Sequence, residues 1–356
     1  EKPIIYVETQ SFKAQDNPII VEAMGRVVPA KETALRAQVS GKITDVSDAF
    51  IPGGYFNSGD TILNIDPTDY ELDIKLKKAA LRQAQASFEL EQGQQAIAKD
   101  ELKILERTTG TKLADSDLAL RKPQLEQARA NIASAKADLE MAELNLKRTE
   151  LNAPYNAIIT ARNTNLGNIV SPNETLATLV STDEYWIEAE LPTKDMMWLS
   201  FPQNANEKGA QTTIFQPYGT AKRIGYLKNN TGTVGENSRL ATIIVSVPDP
   251  LLYKAATKDI DDHFRLNLND YVRLQIQAKT LPNSYKIPQK YIREGNSLWV
   301  YSDSKLQIVT PKIVHEDRNY AYIVGDLGAN AQIITSDIIT PAQGMEISLR
   351  EVGTVE

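Results

Sequence analysis

Cysteine is absent from all 356 residues. That excludes disulfides, thiol nucleophiles and cysteine-ligated zinc together, and it is compatible with an oxidising compartment. Histidine is nearly absent too. The two present, His263 and His315, have no partner at ligand spacing, and no His-Glu-x-x-His, Walker A or Gly-x-Gly-x-x-Gly pattern occurs. No apolar run approaches the roughly 18 residues of a membrane-spanning helix, and no signal peptide opens the chain. An excess of positive charge is missing as well: 39 Lys and Arg stand against 46 Asp and Glu, for a formal net charge of −7. The basic residues are dispersed, which argues against a general nucleic-acid-binding surface. Catalysis therefore has no visible seat, and the expectation is a non-enzyme without metal or cofactor.

The residue groups that come nearest to chemistry have plainer readings. Asp259, Asp261, Asp262 and His263 bring carboxylates and an imidazole close together, but the commoner identity of such a run is a solvated acidic loop. Asp66 and Asp69 flank Pro67, as the start of a helix and its dipole favour. Met196-Met197 is the only adjacent methionine pair and reads as apolar packing beside Trp198, not a soft-cation site. Trp186, Trp198 and Trp299 read as core or interface residues and not as a ligand cage.

What is present in abundance is helix-forming sequence over 70–151. Leu125, Ala128, Ile132, Ala135, Leu139, Ala142, Leu146 and Thr149 follow the 3,4 rhythm of a coiled-coil seam. Leu72, Leu76, Ala79, Gln83, Ala86, Leu90, Gly93 and Ile97 follow it more loosely and are expected to form the facing seam. Between them Thr108-Thr109-Gly110-Thr111 places β-branched residues around a glycine, where a helix stops and the chain reverses. Pro123 implies either a kink or a second helix that starts near Lys122. The expected product is an antiparallel hairpin with arms of about 35 to 40 residues, roughly 55 Å long. A parallel homodimeric coiled coil is the competing reading.

The flanks of this insertion resemble each other, which is the sign of an internal repeat. One contains Gln38 to Ile43, Pro52-Gly53-Gly54 and Gly59 to Asp66; the other contains Ala153 to Ile158, Leu166-Gly167-Asn168 and Asn173 to Leu179. Gly41 and Gly59 are met by Asn156 and Asn173, and asparagine is the other residue type that tolerates left-handed backbone. Two such halves form a β-sandwich interrupted by the hairpin. Farther on, short strands are expected at 185–191, 212–215, 221–227, 231–234, 240–247 and 271–278, with 19–29 joining them in a small β-barrel. A short helix at 193–200 is expected beside it, with Trp198 as a plug. Strands at 298–301, 306–313, 320–324 and 332–335, with 4–7, make a further β-domain. The fold class is thus mainly β with an inserted α-helical hairpin, elongated and multi-domain.

Taken in order, Val39 to Ile43, Pro52-Gly53-Gly54 with Gly59-Asp60, Ile65-Asp66, Asn152-Ala153-Pro154, Leu191-Pro192, Ile287-Pro288, Gly295 to Val300 and Pro341 to Met345 resemble the periplasmic adaptor subunits, or membrane fusion proteins, of bacterial tripartite efflux pumps. The resemblance covers nearly the whole chain and is nearest to adaptors of proton-driven resistance-nodulation-division (RND) transporters. It implies four domains: a coiled-coil hairpin at 68–150, a lipoyl-like sandwich at 34–67 and 151–183, a barrel at 15–33 and 184–280, and a membrane-proximal β-domain at 1–14 and 281–356. In the sandwich the expected turn positions are Gly41, Gly53, Gly54, Gly59, Asn156, Gly167 and Asn173. True carrier domains place a modifiable lysine where this chain places its hairpin, so an attached cofactor is not expected. The implied function is to link an inner-membrane RND-type transporter to an outer-membrane channel, with copies of the chain side by side around an export conduit for drugs or other small molecules. An ATP-driven exporter, a secretion system or a non-transport coiled-coil scaffold are the alternatives. Channel contact is expected at the tip, 106–118, through Arg107, Thr109, Gly110, Lys112, Leu113, Asp115 and Ser116. Family members carry an Arg, Leu and Ser at set spacing there, and Arg107, Leu113 and Ser116 depart from that spacing. The expected location is the periplasm of a Gram-negative bacterium, anchored to the inner membrane by a segment not present in this chain.

Overall fold

The computed structural model describes residues 5–110, 117–118, 120–204, 207–236, 238–254, 264–328 and 331–350. They fall into two compact units, one of residues 30–183 and one combining 1–29 with 184–356. The chain opens in the second of these with β1 (Ile5–Val7), β2 (Thr9–Phe12) and the long β3 (Gln15–Pro29). Along β3 the burial alternates strictly: Ile19, Val21, Ala23 and Val27 point inward while Ile20, Glu22, Met24 and Arg26 face water. That is the two-residue period of a strand with one buried face.

The chain then enters the other unit through β4 (Glu32–Arg36), β5 (Gly41–Val46), β6 (Tyr55–Phe56) and β7 (Thr61–Ile65). Helix α1 (Thr68–Thr109) and helix α2 (Lys122–Lys147) follow, and then β8 (Glu150–Asn152), β9 (Ala157–Arg162), β10 (Ile169–Val170) and β11 (Thr175–Ser181). The strands form two sheets, ordered β10-β5-β7-β8 and β6-β9-β11-β4. Exchanging β4 with β8, β5 with β9, β6 with β10 and β7 with β11 turns one order into the other. The internal repeat is therefore real, and its two halves are swapped between sheets. Registers agree: Ile43 faces Ile65 in the first sheet, and Ile159 faces Leu179 in the second. All four lie in the core with Phe50, Phe56, Ile62 and Leu176. Each fully buried side chain of this kind is worth about 1.5–3 kcal/mol.

The remaining strands β12 (Glu184–Pro192), β13 (Gln211–Phe215), β14 (Lys222–Val234), β15 (Leu240–Pro248) and β16 (Tyr271–Pro288) join β3 in the order β13-β14-β15-β12-β3-β16. Pairing of β13 with β16 closes this into a six-stranded barrel. At Gly25 an added Cβ would lie 2.6 Å from Ile187 Cγ2, so only glycine lets β3 approach β12 there. A 3-10 turn at Thr193–Trp198 follows β12, where the short helix is expected. Leu199, not Trp198, is its fully buried neighbour, and Met197 faces water instead of packing.

The last strands are β17 (Leu298–Ser302), β18 (Lys305–Val309), β19 (Lys312–Glu316), β20 (Tyr320–Val324), β21 (Ala331–Ile334) and β22 (Ile347–Leu349). They build a β18-β17-β21-β2 sheet and a parallel β1–β22 pair, while β20 and β19 extend the edge of β16. Three sequence expectations change in detail. The strand expected at 306–313 breaks into β18 and β19 at Thr310-Pro311, because proline cannot donate to a ladder. The strands expected at 221–227 and 231–234 are one, β14, which absorbs the interval by register shifts against β15. The strand expected at 271–278 runs on to Pro288 by the same device against β3.

Candidate functional site

Within its unit the hairpin stands on the sandwich at Pro67. The Asp66 carboxylate accepts the Thr68 backbone N–H at 3.0 Å and the Thr68 hydroxyl at 2.6 Å. These hydrogen bonds hold Asp66 below the usual carboxylate range, and Asp69 and Glu71 fill the first turn of α1. The Tyr70 hydroxyl donates to Ser40 O at 2.6 Å, tying that first turn to the sandwich. At the other end Gly110 caps α1 in the left-handed conformation, φ 63°, as the Thr-Thr-Gly-Thr reading requires. Helix α2 begins at Lys122, so Pro123 lies in its first turn and does not kink it.

The arms differ in length, 42 residues in α1 and 26 in α2. On α2 the expected seam from Leu125 to Leu146 faces α1, with Leu125, Ala128 and Ala142 buried. On α1 the expected seam is wrong. The less exposed residues of α1 are instead Ile74, Lys77, Leu81, Ala84, Phe88, Glu91, Gln95, Ala98 and Leu102, also at 3,4 spacing, of which Glu91 and Gln95 reach the start of α2. Leu76, Leu90 and Ile97 are 68%, 69% and 61% exposed. The physical reason is visible in the polar members of the inner seam. Glu91 accepts from Arg121 Nε at 2.6 Å and Nη2 at 2.9 Å, and buried Gln95 donates to Leu120 O at 3.0 Å. These groups are satisfied by α2 and the turn preceding it, partners no local pattern announces.

Two interleaved heptads thus run along α1. The inner one is used by the hairpin. Leu72, Leu76, Leu90, Ile97 and Ile104 of the other form an exposed apolar stripe about 48 Å long at 1.5 Å per residue. On the outer side of α2 lie Ala130, Ala133, Ala137, Met141 and Leu144, small side chains followed by two larger ones, all exposed. An apolar stripe of this length on a helix is the mark of an interaction surface.

Of the tip residues singled out from sequence, Arg107 is exposed, Thr109 donates its hydroxyl to Leu105 O at 2.8 Å, and Gly110 is the cap. Lys112, Leu113, Asp115 and Ser116 lie outside the described residues, as does the acidic run ending at His263. In the sandwich Gly53, Gly59, Gly167 and Asn173 take positive φ. Gly54 is required differently, since a Cβ there would lie 1.8 Å from Ala49 O, and at Gly41 one would lie 2.4 Å from Ile65 Cγ2. Asn156 departs from the left-handed reading. Its side chain instead accepts from Ser58 N at 2.9 Å and donates to Asp183 Oδ1 at 3.0 Å, joining the two halves of the repeat.

Residues 31–182 match the family model described as the RND membrane fusion protein barrel-sandwich hybrid domain. Along nearly its whole length the chain is similar to the multidrug resistance protein MdtA of Salmonella heidelberg, 22% identical over 362 residues that cover 99% of this chain and 82% of that one. It is similar also to MdtA of Klebsiella pneumoniae, 23% identical with 93% and 77% covered. Among solved structures, MacA from Actinobacillus actinomycetemcomitans superposes with a TM-score of 0.64 at 19% identity, covering 92% of this chain and 99% of that one. A MacA–MexA chimera carrying the Pseudomonas aeruginosa MexA α-hairpin gives 0.61 at 16% identity, covering 92% and 100%. At those identities the two structures speak for the fold.

Proposed function

We propose that this chain is a membrane fusion protein of the RND type, the adaptor of a tripartite efflux pump, as the match of residues 31–182 and the likeness to the MdtA proteins support, and that it does its work by assembling side by side with copies of itself through the two outer faces of its hairpin. The observation that carries this reading is the second heptad of α1, a row of large apolar side chains left in water by a helix whose inner seam is already filled. The outer face of α2, with its alanines, offers a surface of complementary size. A contact between unlike faces is heterologous, and repeated around an axis it closes into a ring. Each large side chain covered in that contact contributes about 1.5–3 kcal/mol before the cost of association, so one pair of hairpins is held weakly and a closed ring firmly.

In this reading the chain divides into the four domains expected from the sequence and acts in the periplasm against the inner membrane. The hairpin tip, through Arg107, Thr109, Gly110 and the Lys112 to Ser116 segment, meets an outer-membrane channel, while the β-domain of β1, β2 and β17 to β22 meets the transporter. The cargo is a drug or another small organic molecule, as the names of the MdtA relatives support. Membrane fusion proteins are in general not enzymes. The role of this chain is to hold the conduit closed to the surrounding water. No helix among the described residues is long and apolar enough to cross a membrane.

The natural absence of cysteine makes the test direct. Leu76→Cys and Leu144→Cys, introduced together, lie on opposite outer faces of one hairpin and meet only between neighbouring copies. Oxidation in cells should give a ladder of covalent multimers ending at a fixed number. Monomer alone, in cells where the variant supports drug efflux, would overturn the assembly.

A further inference from the structure

On β14 the side chains alternate, Leu227 pointing inward while Tyr226 and Lys228 point out of the barrel. Across the ladder Tyr226 is paired with Gln211 of β13 and Ser246 of β15, and Ser246 with Trp186 of β12. Glu184, on the same face as Trp186, accepts from Lys228 Nζ at 2.6 Å and from Trp186 Nε1. The Lys228 ammonium also lies 5.0 Å from the centre of the Trp186 ring. A carboxylate and a ring thus hold this ammonium in place, and it keeps N–H donors for a further partner.

The segment leading into β13 makes this face concave. Ala210 O accepts from Leu227 N at 2.9 Å, and at Gly209 a Cβ would lie 2.0 Å from Leu227 O, so the segment lies directly on the β14 backbone and glycine is required there. Glu207 closes a turn, its N–H donating to Asn204 O at 3.2 Å and its carboxylate accepting from Gln203 N at 2.8 Å. Between that turn and the strand face lies a cleft of about 750 Å³, inside the range of roughly 300–1,000 Å³ that small-molecule sites occupy. Its lining is mostly polar, with the planar groups of Gln203, Asn204, Glu207 and Asn229 beside Lys208 and Lys228. Tyr226 is the one aromatic ring among the described lining residues. The Lys208 ammonium rests 4.8 Å from the centre of that ring and makes no ion pair among the described residues.

We propose that this cleft on the outside of the barrel binds an acidic sugar, a pyranose ring that bears a carboxylate. An apolar drug-like body is a poor match, because sites for such molecules are lined predominantly by hydrophobic and aromatic side chains. Covering the amides of Gln203, Asn204 and Asn229 without partners would cost about 1–3 kcal/mol for each group left unsatisfied. Sugar hydroxyls both donate and accept, and an amide presents a donor and an acceptor in one plane to meet them. The C–H face of the sugar ring packs on Tyr226, an apolar body with a polar tip. Lys208 selects the acid. It is exposed and lacks a carboxylate partner, and a charge-assisted hydrogen bond is roughly twice as strong as a neutral one. Lys228, already tied to Glu184, adds a donor at a fixed position. Glu207 is the carboxylate of the lining; with Gln203 N on one oxygen, it has the other to accept a sugar hydroxyl. The same chemistry occurs in the N-acetylmuramic acid of cell-wall glycan and in the uronic acids of secreted polysaccharides. Binding is independent of the adaptor reading, and only a cell-wall source depends on the periplasmic location.

The test uses the purified full chain, saturation-transfer NMR and calorimetry. The probes are the disaccharide of N-acetylglucosamine and N-acetylmuramic acid, a glucuronic acid disaccharide, neutral chitobiose, and naphthoate as an apolar acid. At least one acidic disaccharide should bind with a millimolar Kd, and chitobiose about tenfold more weakly. The tighter of the two acids identifies the source, cell wall or secreted polysaccharide. Lys208→Gln should weaken the acidic sugar about tenfold and abolish its advantage over chitobiose, and Lys208→Arg should restore most of the loss. Tyr226→Ala should weaken every sugar, with thermal unfolding to check that it folds; the exposed Lys208 variants carry the test if it does not. No saturation transfer to either acidic sugar, equal affinity for chitobiose, tighter binding of naphthoate, or unchanged affinity in folded Lys208→Gln would each overturn the site.

Discussion

Arg121 grips Glu91 with two hydrogen bonds, 2.6 and 2.9 Å, across the point where α2 begins. Arg121 is itself the left-handed residue that starts α2, φ 52°, so the pair fixes where the shorter arm begins. Arg121→Ala should loosen the first turns of α2 and leave the sandwich untouched. Hydrogen exchange reads this as lost protection around 122–128 without change near Ile159. The guanidinium holds the Glu91 carboxyl below its ordinary 4.5. The stabilisation is therefore complete above pH 4.5 and lost as pH falls through the lower folded value. Arg121→Ala should remove that acid dependence from the α2 exchange rates.

Leu125 and Leu90 separate the two heptads by experiment. Leu125 is buried in the hairpin seam, and Leu125→Ala should cost about 2–4 kcal/mol in urea unfolding of the monomer. Leu90 is exposed. Leu90→Ala should leave monomer stability within about 0.5 kcal/mol, and Leu90→Glu should abolish multimers in the disulfide assay. Equal losses of monomer stability from Leu125→Ala and Leu90→Ala would return the inner seam to the Leu72–Ile97 register.

Arg223 is the buried cation of the barrel. Its guanidinium donates to the carbonyls of Phe264, Pro248 and Asp249 at 3.0, 2.8 and 2.9 Å, gathering the segment after β15 and the segment before β16. Burial lowers its pKa, yet an arginine remains charged throughout the accessible range. Removing it takes a donor from three carbonyls, of which Asp249 O keeps the Leu252 N–H at 3.1 Å, so Arg223→Ala should cost about 2–4 kcal/mol. Arg223→Lys should recover only a fraction, because an ammonium lacks the fork. Thermal unfolding of the two variants measures both.

Gly53 and Gly54 are neighbours required for different reasons. At Gly53 the backbone is left-handed, φ 84°, with open space around a hypothetical Cβ; at Gly54 a Cβ would collide with Ala49 O. Gly53→Ala should cost about 1–2 kcal/mol of backbone strain. Gly54→Ala should cost more in the same thermal unfolding measurement, since backbone must move and the pairing of Gly54 O with Ile159 N is disturbed.

Much of this fold is legible in the sequence. The turn at Gly110, the start of α2 at Lys122 and the repeat around the insertion follow from local chemistry: a left-handed cap, a proline in a first turn, and matched turn residues. The inner seam of α1 was not readable, because α1 carries two heptads and the more apolar one faces water. Choosing the other requires knowing that Arg121 and Leu120 O satisfy Glu91 and Gln95 from across the hairpin. Asn156 differs from expectation for a related cause: its role lies in side-chain bonds to Ser58 and Asp183, not in its own backbone. The full length of β14 and β16 is not legible because their bulges look like turns in sequence. Nothing in the sequence places His315 edge-on to Trp198, ring centres 5.7 Å apart, since that contact depends on β20 carrying β19 along the edge of β16.

The adaptor account stands or falls most directly at the hairpin tip. A photoreactive amino acid placed at Arg107, in an intact Gram-negative host where the chain supports drug efflux, should crosslink to an outer-membrane channel, and the same probe at Tyr218 on the barrel should not. Working efflux with a tip that crosslinks to no outer-membrane protein would contradict the account.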